Sequence, residues 1–311
     1  MPLDPQAKAL IEQTAAAGWP PYSTLTPEEA RRVMAARAAT TAGEPPAVAK
    51  LSDMKVPGPA GDIPVRIYTP EGSPSFPILV YFHGGGFALG SVDTHDALCR
   101  ALCNGSGCIV ASVDYRLAPE HKFPAAVEDA FAATHWVADH APALQGDPAR
   151  IAVGGDSAGG NLATVVALLA RDRGGPDLRY QLLLYPVTDH TFGMPSYEEN
   201  GSGYMLSRSD MEWYRDQYLS TEADRRNPLA SPLLAEELRG MPPALVITAE
   251  YDPLRDEGEA YAARLAEAGV PTVLTRYNGM IHGFIRLYPV LDAGQRALRQ
   301  IGTALRTSLA P

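Results

Sequence analysis

The stretch Val153-Gly154-Gly155-Asp156-Ser157-Ala158-Gly159-Gly160-Asn161 decides how this chain is read. Before it, Arg150-Ile151-Ala152-Val153 is a short apolar run that reads as a buried strand. After it, Asn161 to Ala170 reads as a helix. The pattern G-x-S-x-G, from Gly155 to Gly159, therefore sets a serine on a tight strand-to-helix turn. Glycine leaves room for strand and helix to approach, while the serine backbone is strained. The hydroxyl then stands at the end of a sheet, above a helix N-terminus whose amides favour negative charge. The pentapeptide alone also fits a plain glycine-rich connection, so the flanking chain has to decide.

Outward from this turn, strands and helices alternate. Pro77 to Phe82 and Cys108 to Val113 are continuous apolar runs, as strands covered on both faces require. Ile151–Val153, Tyr180–Tyr185, Ala244–Ala249 and Pro271–Tyr277 follow as strands. Helical patterns lie between them: Ala97–Gly105, Pro124–His140, Asn161–Arg173 and Glu257–Ala268, with Ala293–Leu309 closing the chain. Leu51–Val56 and Ile63–Tyr68, joined by Pro57-Gly58-Pro59-Ala60-Gly61, predict an antiparallel start. The expected fold class is α/β, a mostly parallel sheet with helices on both faces.

Two segments break the rhythm. Residues 1–48 carry helical pattern only, and Thr26-Pro27-Glu28-Glu29 is a strong helix start. Residues 187–225 form an insertion rich in aromatics and methionine, with a helix opening near Ser209-Asp210-Met211-Glu212-Trp213. It follows a strand end at the carboxyl edge of the sheet, where α/β folds bind ligands, so it is read as a cap. The predicted organisation is 1–48 as the N-terminal part of the cap, 49–186 as the first part of the core, 187–225 as the cap insertion and 226–311 as the second part of the core.

Composition narrows the function classes. The 311 residues carry a net charge of -10, which argues against nucleic acid or anionic membrane as a partner. The apolar runs are too short to span a bilayer, and no basic-then-apolar leader opens the sequence. Cys99, Cys103 and Cys108 are odd in number and clustered, which points to thiols in a reducing cytoplasm rather than a disulfide framework. His95, Cys99 and Cys103 share a helical spacing, but three ligands on one helix cannot surround a tetrahedral ion. No metal or cofactor is expected.

A serine hydroxyl is a poor nucleophile without a base, and the base needs an orienting carboxylate. Of the seven histidines only His190 and His282 follow Ser157, the order this architecture uses. Asp189 adjoins His190 and cannot easily reach its ring. His282 sits in Tyr277-Asn278-Gly279-Met280-Ile281-His282-Gly283-Phe284, a glycine-flanked loop after a strand, and is the better base. The acid is sought in Glu250-Tyr251-Asp252-Pro253-Leu254-Arg255-Asp256-Glu257. Asp252 follows the strand directly and is preferred, with Glu250 as runner-up. Asp256 and Glu257 are read as opening the next helix. His83-Gly84-Gly85-Gly86 follows a central strand and, with the amide of Ala158, can supply donors for an oxyanion.

These stretches together resemble the hormone-sensitive lipase-like (HSL) family of bacterial α/β-hydrolase esterases. The likeness rests on His83-Gly84-Gly85-Gly86, Gly155-Asp156-Ser157-Ala158-Gly159, Asp252-Pro253-Leu254 and His282-Gly283-Phe284, in that order. Asp114-Tyr115-Arg116-Leu117-Ala118-Pro119-Glu120 and Phe123-Pro124-Ala125-Ala126 add to it. The resemblance implies the α/β-hydrolase fold with a two-part helical cap. It implies hydrolysis of small-molecule carboxylic esters of short to medium acyl chain through Ser157, Asp252 and His282. It places the oxyanion on Gly85, Gly86 and Ala158, and makes His83 structural. Phe87, Leu206, Trp213, Tyr214, Phe284 and Ile285 are the expected pocket walls. Amide hydrolysis or acyl transfer uses the same triad, and a non-catalytic small-ligand receptor uses the same fold. An exposed last strand would offer an edge for a homodimer.

Overall fold

The computed structural model describes residues 1–41 and 43–311. Eight strands form one sheet: β1 (Lys50–Gly58), β2 (Gly61–Thr69), β3 (Phe76–Phe82), β4 (Ile109–Val113), β5 (Gly146–Asp156), β6 (Leu178–Leu184), β7 (Ala244–Tyr251) and β8 (Thr272–Ile281). Their order across the sheet is β1-β2-β4-β3-β5-β6-β7-β8. β1 pairs β2 and β2 pairs β4 antiparallel; every later pairing is parallel. The expected antiparallel start and parallel body are both present.

Helices α3 (Asp96–Ser106) and α10 (Asp292–Ser308) cover one face; α4 (Ala125–Asp139), α5 (Ala158–Arg173) and α9 (Arg255–Glu267) cover the other. The continuous apolar run of β3 follows from this double cover. Ile78, Val80 and Phe82 enter the core under α4 and α5, while Leu79 and Tyr81 enter the core under α3 and α10. Successive side chains of a strand point to opposite faces, so no polar position is left between two buried layers.

Three boundary differences from the sequence reading bear on the site. β5 runs on to Asp156, because Gly155 pairs Phe82 and Asp156 pairs Leu184. Glycine is a poor strand former, which hid this extension. α5 begins at Ala158 rather than Asn161, so Gly159 and Gly160 are helical. β8 continues past Tyr277 to Ile281, which pairs Tyr251 after a register shift, and so delivers its end directly to His282.

The N-terminal segment holds α1 (Pro5–Ala16) and α2 (Pro27–Thr41). α2 opens as its sequence predicts: Thr26 N donates to Glu29 and Glu29 N donates to Thr26 Oγ1. Arg31 on α2 pairs Glu120 and donates to the carbonyls of Ala88 and Ala118, which fastens the helix beside the His83–Gly86 loop. The insertion holds α6 (Ser196–Glu199), α7 (Arg208–Tyr218) and α8 (Glu222–Arg225). Ser207 caps α7 reciprocally with Asp210, two residues before the start expected.

Candidate active site

Ser157 stands between β5 and α5 at φ 56° and ψ −118°, a backbone state costing roughly 1–3 kcal/mol for a residue other than glycine. The elbow is fixed by close approach. A Cβ on Gly159 would lie 1.9 Å from the carbonyl oxygen of Phe82, the last residue of β3. Only glycine lets α5 start this close to the neighbouring strand.

His282 and Asp252 converge on the serine from the ends of β8 and β7. His282 Nε2 lies 3.0 Å from Ser157 Oγ, and His282 Nδ1 lies 2.7 Å from Asp252 Oδ2. A carboxylate accepts, so Nδ1 carries the proton and Nε2 turns its lone pair to the hydroxyl. Asp252 is fully buried, and its other oxygen accepts from Leu254 N at 2.9 Å. The runner-up Glu250 accepts from Gly279 N instead. Glu257 lies in the first turn of α9 as expected, and it is fully buried there, accepting from the amides of Thr188 and Asp189 and the hydroxyl of Tyr197. Burial pushes its carboxyl well above the usual range.

The His83–Gly86 loop faces Ser157 across a cavity of about 430 Å³. Gly85 and Gly86 adopt φ 127° and 60° and line the cavity. A Cβ on Gly86 would sit 2.2 Å from the Tyr214 ring. Among the described residues the amides of Gly85, Gly86 and Ala158 donate to no protein group. Ala158 is the first residue of α5, where an amide has no intrahelical partner. His83 is buried in the core, stacked on Tyr115 at 4.4 Å, with burial lowering its pKa to about 3.

Of the expected walls, Phe87, Leu206 and Tyr214 line the cavity; Trp213, Phe284 and Ile285 do not. After His282 the chain turns tightly, with Arg286 N donating to Gly283 O and Leu287 N to Phe284 O. That turn aims Gly283, Arg286 and Leu287 at the cavity and sends Phe284 and Ile285 into the core, where Phe284 packs against Tyr277 and Tyr185. On α7, Asp210, Met211 and Tyr214 share the inner face at helical spacing, and Trp213 falls off it, edge-on to Tyr214. The N-terminal helices contribute wall residues the sequence did not single out, among them Leu10, Trp19, Tyr22, Met34 and Arg37.

Comparison with known proteins agrees with this geometry. A family profile described as alpha/beta hydrolase fold matches residues 79–286. A carboxylic ester hydrolase of Mycobacterium tuberculosis, LipN, is 48% identical over 83% of this chain and 70% of its own length. An ethyl acetate hydrolase of Pseudomonas putida is 40% identical over 99% of this chain and 100% of its own. The structure of a hyperthermophilic esterase from the archaeon Pyrobaculum calidifontis superposes with a TM-score of 0.94 at 47% identity, covering 99% of each chain. This chain belongs to the HSL-like α/β hydrolases and is a carboxylic ester hydrolase.

The esterase also carries a brace that the motifs did not announce. Asp156, beside the serine, is buried and accepts from Gly84 N at 2.9 Å and Tyr81 Oη at 2.8 Å, with His95 Nε2 at 3.3 Å. It ties the elbow to the glycine loop. Burial alone would raise its carboxyl; His95, Arg286 and the Tyr81 hydroxyl outweigh this and hold it well below the usual carboxylate range. Asn161 does the same on the other side, donating to the carbonyls of Val187 and Ala230. An acid inside G-D-S-A-G and an asparagine one turn later were the available signals.

Proposed function

We propose that this esterase hydrolyses short- to medium-chain carboxylic esters with Ser157 as nucleophile, His282 as general base and acid, and Asp252 as its orienter. His282 takes the hydroxyl proton as Oγ attacks the ester carbonyl. The oxyanion is received by the amides of Gly85, Gly86 and Ala158, each such donor being worth about 3 kcal/mol of barrier. His282 returns the proton to the departing alcohol. Water then attacks the acyl-enzyme with the roles repeated, releasing the acid. The chemistry needs no metal or cofactor. The observation that carries this reading is the Ser157–His282–Asp252 relay at 3.0 and 2.7 Å. An ester hydrolase named for ethyl acetate among the relatives supports the short acyl range.

Residues 1–48 and 187–225 act as a two-part cap, which the wall residues they contribute support. The last strand, β8, borders the sheet and exposes Val273 and Leu274, which supports a homodimer through this edge. Among the described residues no helix is long and apolar enough to cross a membrane, and the three cysteines are free, which supports a reducing cytoplasm.

Ser157→Ala should lower kcat on p-nitrophenyl butyrate by about four orders of magnitude or more and abolish labelling by an organophosphate. Turnover within tenfold of wild type would remove Ser157 from the mechanism. Matched ester and amide substrates separate the amidase reading, which predicts comparable rates on both.

A further inference from the structure

We propose that the esters this enzyme is built for carry a carboxylate set apart from the scissile bond, and that Arg286 receives it. This deepens the ester-hydrolase reading and rests on it.

Arg286 lies one turn beyond His282 and lines the same cavity as Ser157 and His282. Among the described residues its guanidinium makes no hydrogen bond or ion pair with a protein group, and none of its nitrogens is sealed away from the cavity. That is unlike the structural arginines of this fold. Arg31 pairs Glu120, Arg66 pairs Asp53, Arg116 pairs Asp129 and Arg255 pairs Asp256.

The carboxylates in the cavity wall are already committed. Asp210 accepts from Ser23 N at 3.0 Å and Ser207 Oγ at 2.7 Å. Asp156 holds the glycine loop, Tyr81 and His95. The other two wall arginines are also occupied. Arg37 lies over the rings of Tyr22 and Trp19 and donates from one terminal nitrogen to Pro20 O, with its Nε buried and without a partner, and Arg215 pairs Asp216. Arg286 is thus the one wall arginine with no hydrogen-bond, ion-pair or aromatic-ring partner among the described residues, in a protein whose net charge is -10.

Its charge is felt by Tyr22, His83, Asp156, Tyr185 and Tyr214, which surround the reaction centre. Much of the remaining wall is apolar, including Leu10, Ile11, Met34, Met211 and Leu287. A guanidinium is a planar fork matched to carboxylate oxygens. A neutral ester fills the volume and leaves that fork unmet. A monoester of a dicarboxylic acid fills it and meets the fork.

The test uses p-nitrophenyl monoesters of succinic, adipic and suberic acid, each beside its neutral counterpart with the distal carboxyl methylated. Wild type should favour the free acid in kcat/KM by about tenfold or more at one or more lengths, through KM. Arg286→Gln should bring that ratio to one or below, and Arg286→Lys should retain part of it. Arg286→Glu should invert it toward an ester capped with a trimethylammonium group. The proposal is overturned if wild type favours the methylated ester at every length. It is equally overturned if Arg286→Gln lowers both members of each pair in proportion, the mark of a structural role. Cleavage of the neutral esters alone sinks this proposal and leaves the ester-hydrolase reading standing; cleavage of neither sinks both.

Discussion

The floor and the roof of this pocket are held by different forces. The floor is made of strand ends and the elbow, and backbone groups fix it: Asp156 on Gly84 N, Asp252 on Leu254 N, Asn161 on the carbonyls of Val187 and Ala230. Its helix and strand approach so closely that a single methyl has nowhere to go. The roof, from α2 and the 187–225 insertion, is held by an apolar cluster that includes Met34, Phe192, Met211 and Tyr214, and Met205 stays exposed at its rim. Position in the floor is set by backbone geometry. In the roof it is set by volume, which many side chains can supply.

The same substitution should therefore have unequal consequences in the two regions. In the floor, Gly159→Ala drives a Cβ to 1.9 Å from Phe82 O and 2.8 Å from His83 O, both backbone atoms that cannot swing aside. We expect a loss of about 3 kcal/mol or more in stability by denaturant melting, and a fall of about a hundredfold in kcat as the His83–Gly86 loop shifts. In the roof, Gly203→Ala meets no atom within 4 Å, although Gly203 also lines the cavity. Its φ of 86° leaves only backbone strain, about 1–2 kcal/mol. Equal losses from the two would erase the distinction between floor and roof.

The distinction also explains what could be read from the residues alone. The triad and the glycine loop were legible because close backbone approach and a strained turn admit few residue types, so they leave motifs. The doubly covered strands were legible because two buried layers leave them mostly apolar, with Ser112, Gln181 and Thr248 as buried exceptions. The roof left no such mark. Trp213 and Tyr214 are adjacent in the sequence and both were expected walls, yet one step along α7 turns Trp213 away and Tyr214 in. Phe284 and Ile285 were expected walls, but the turn after His282 sends them into the core and gives the cavity Arg286 and Leu287. A turn's facing depends on hydrogen bonds between carbonyls and amides, which carry no residue identity. The buried bracing by Asp156 and Glu257 left no mark for a related reason: their partners include backbone amides from distant segments.

His190 lies at the seam between the two regions and tests it by pH. It is 2% exposed, neither ring nitrogen finds a partner, and its neighbours are Phe87, Phe192 and Tyr218. Burial, aided by the charges of Arg215 and Arg225, lowers its pKa to about 3. The folded state thus binds fewer protons than the unfolded chain between about 6.5 and about 3. Its neutral-state stability is complete above the unfolded value and is lost as pH falls through that window. His190→Phe should make the acid limb of stability shallower, by up to about 1.4 kcal/mol per pH unit. His83, also near 3, keeps its own contribution in both proteins. Superimposable acid limbs would mean that the seam is wet rather than sealed.

The smallest effect is expected where floor and roof touch. The Tyr214 ring lies directly over Gly86, so its bulk, not its hydroxyl, borders the His83–Gly86 loop. Tyr214→Leu removes roof volume without moving the glycine backbone. The change should appear as specificity and leave chemistry largely intact. Along a p-nitrophenyl series from acetate to octanoate, the preferred chain should lengthen by about two carbons. Each methylene newly buried is worth about 0.8 kcal/mol, or roughly fourfold in kcat/KM, and it should enter through KM. A uniform fall across the series, carried by kcat, would show instead that the ring holds the loop in place, and that roof and floor are one structure at this point.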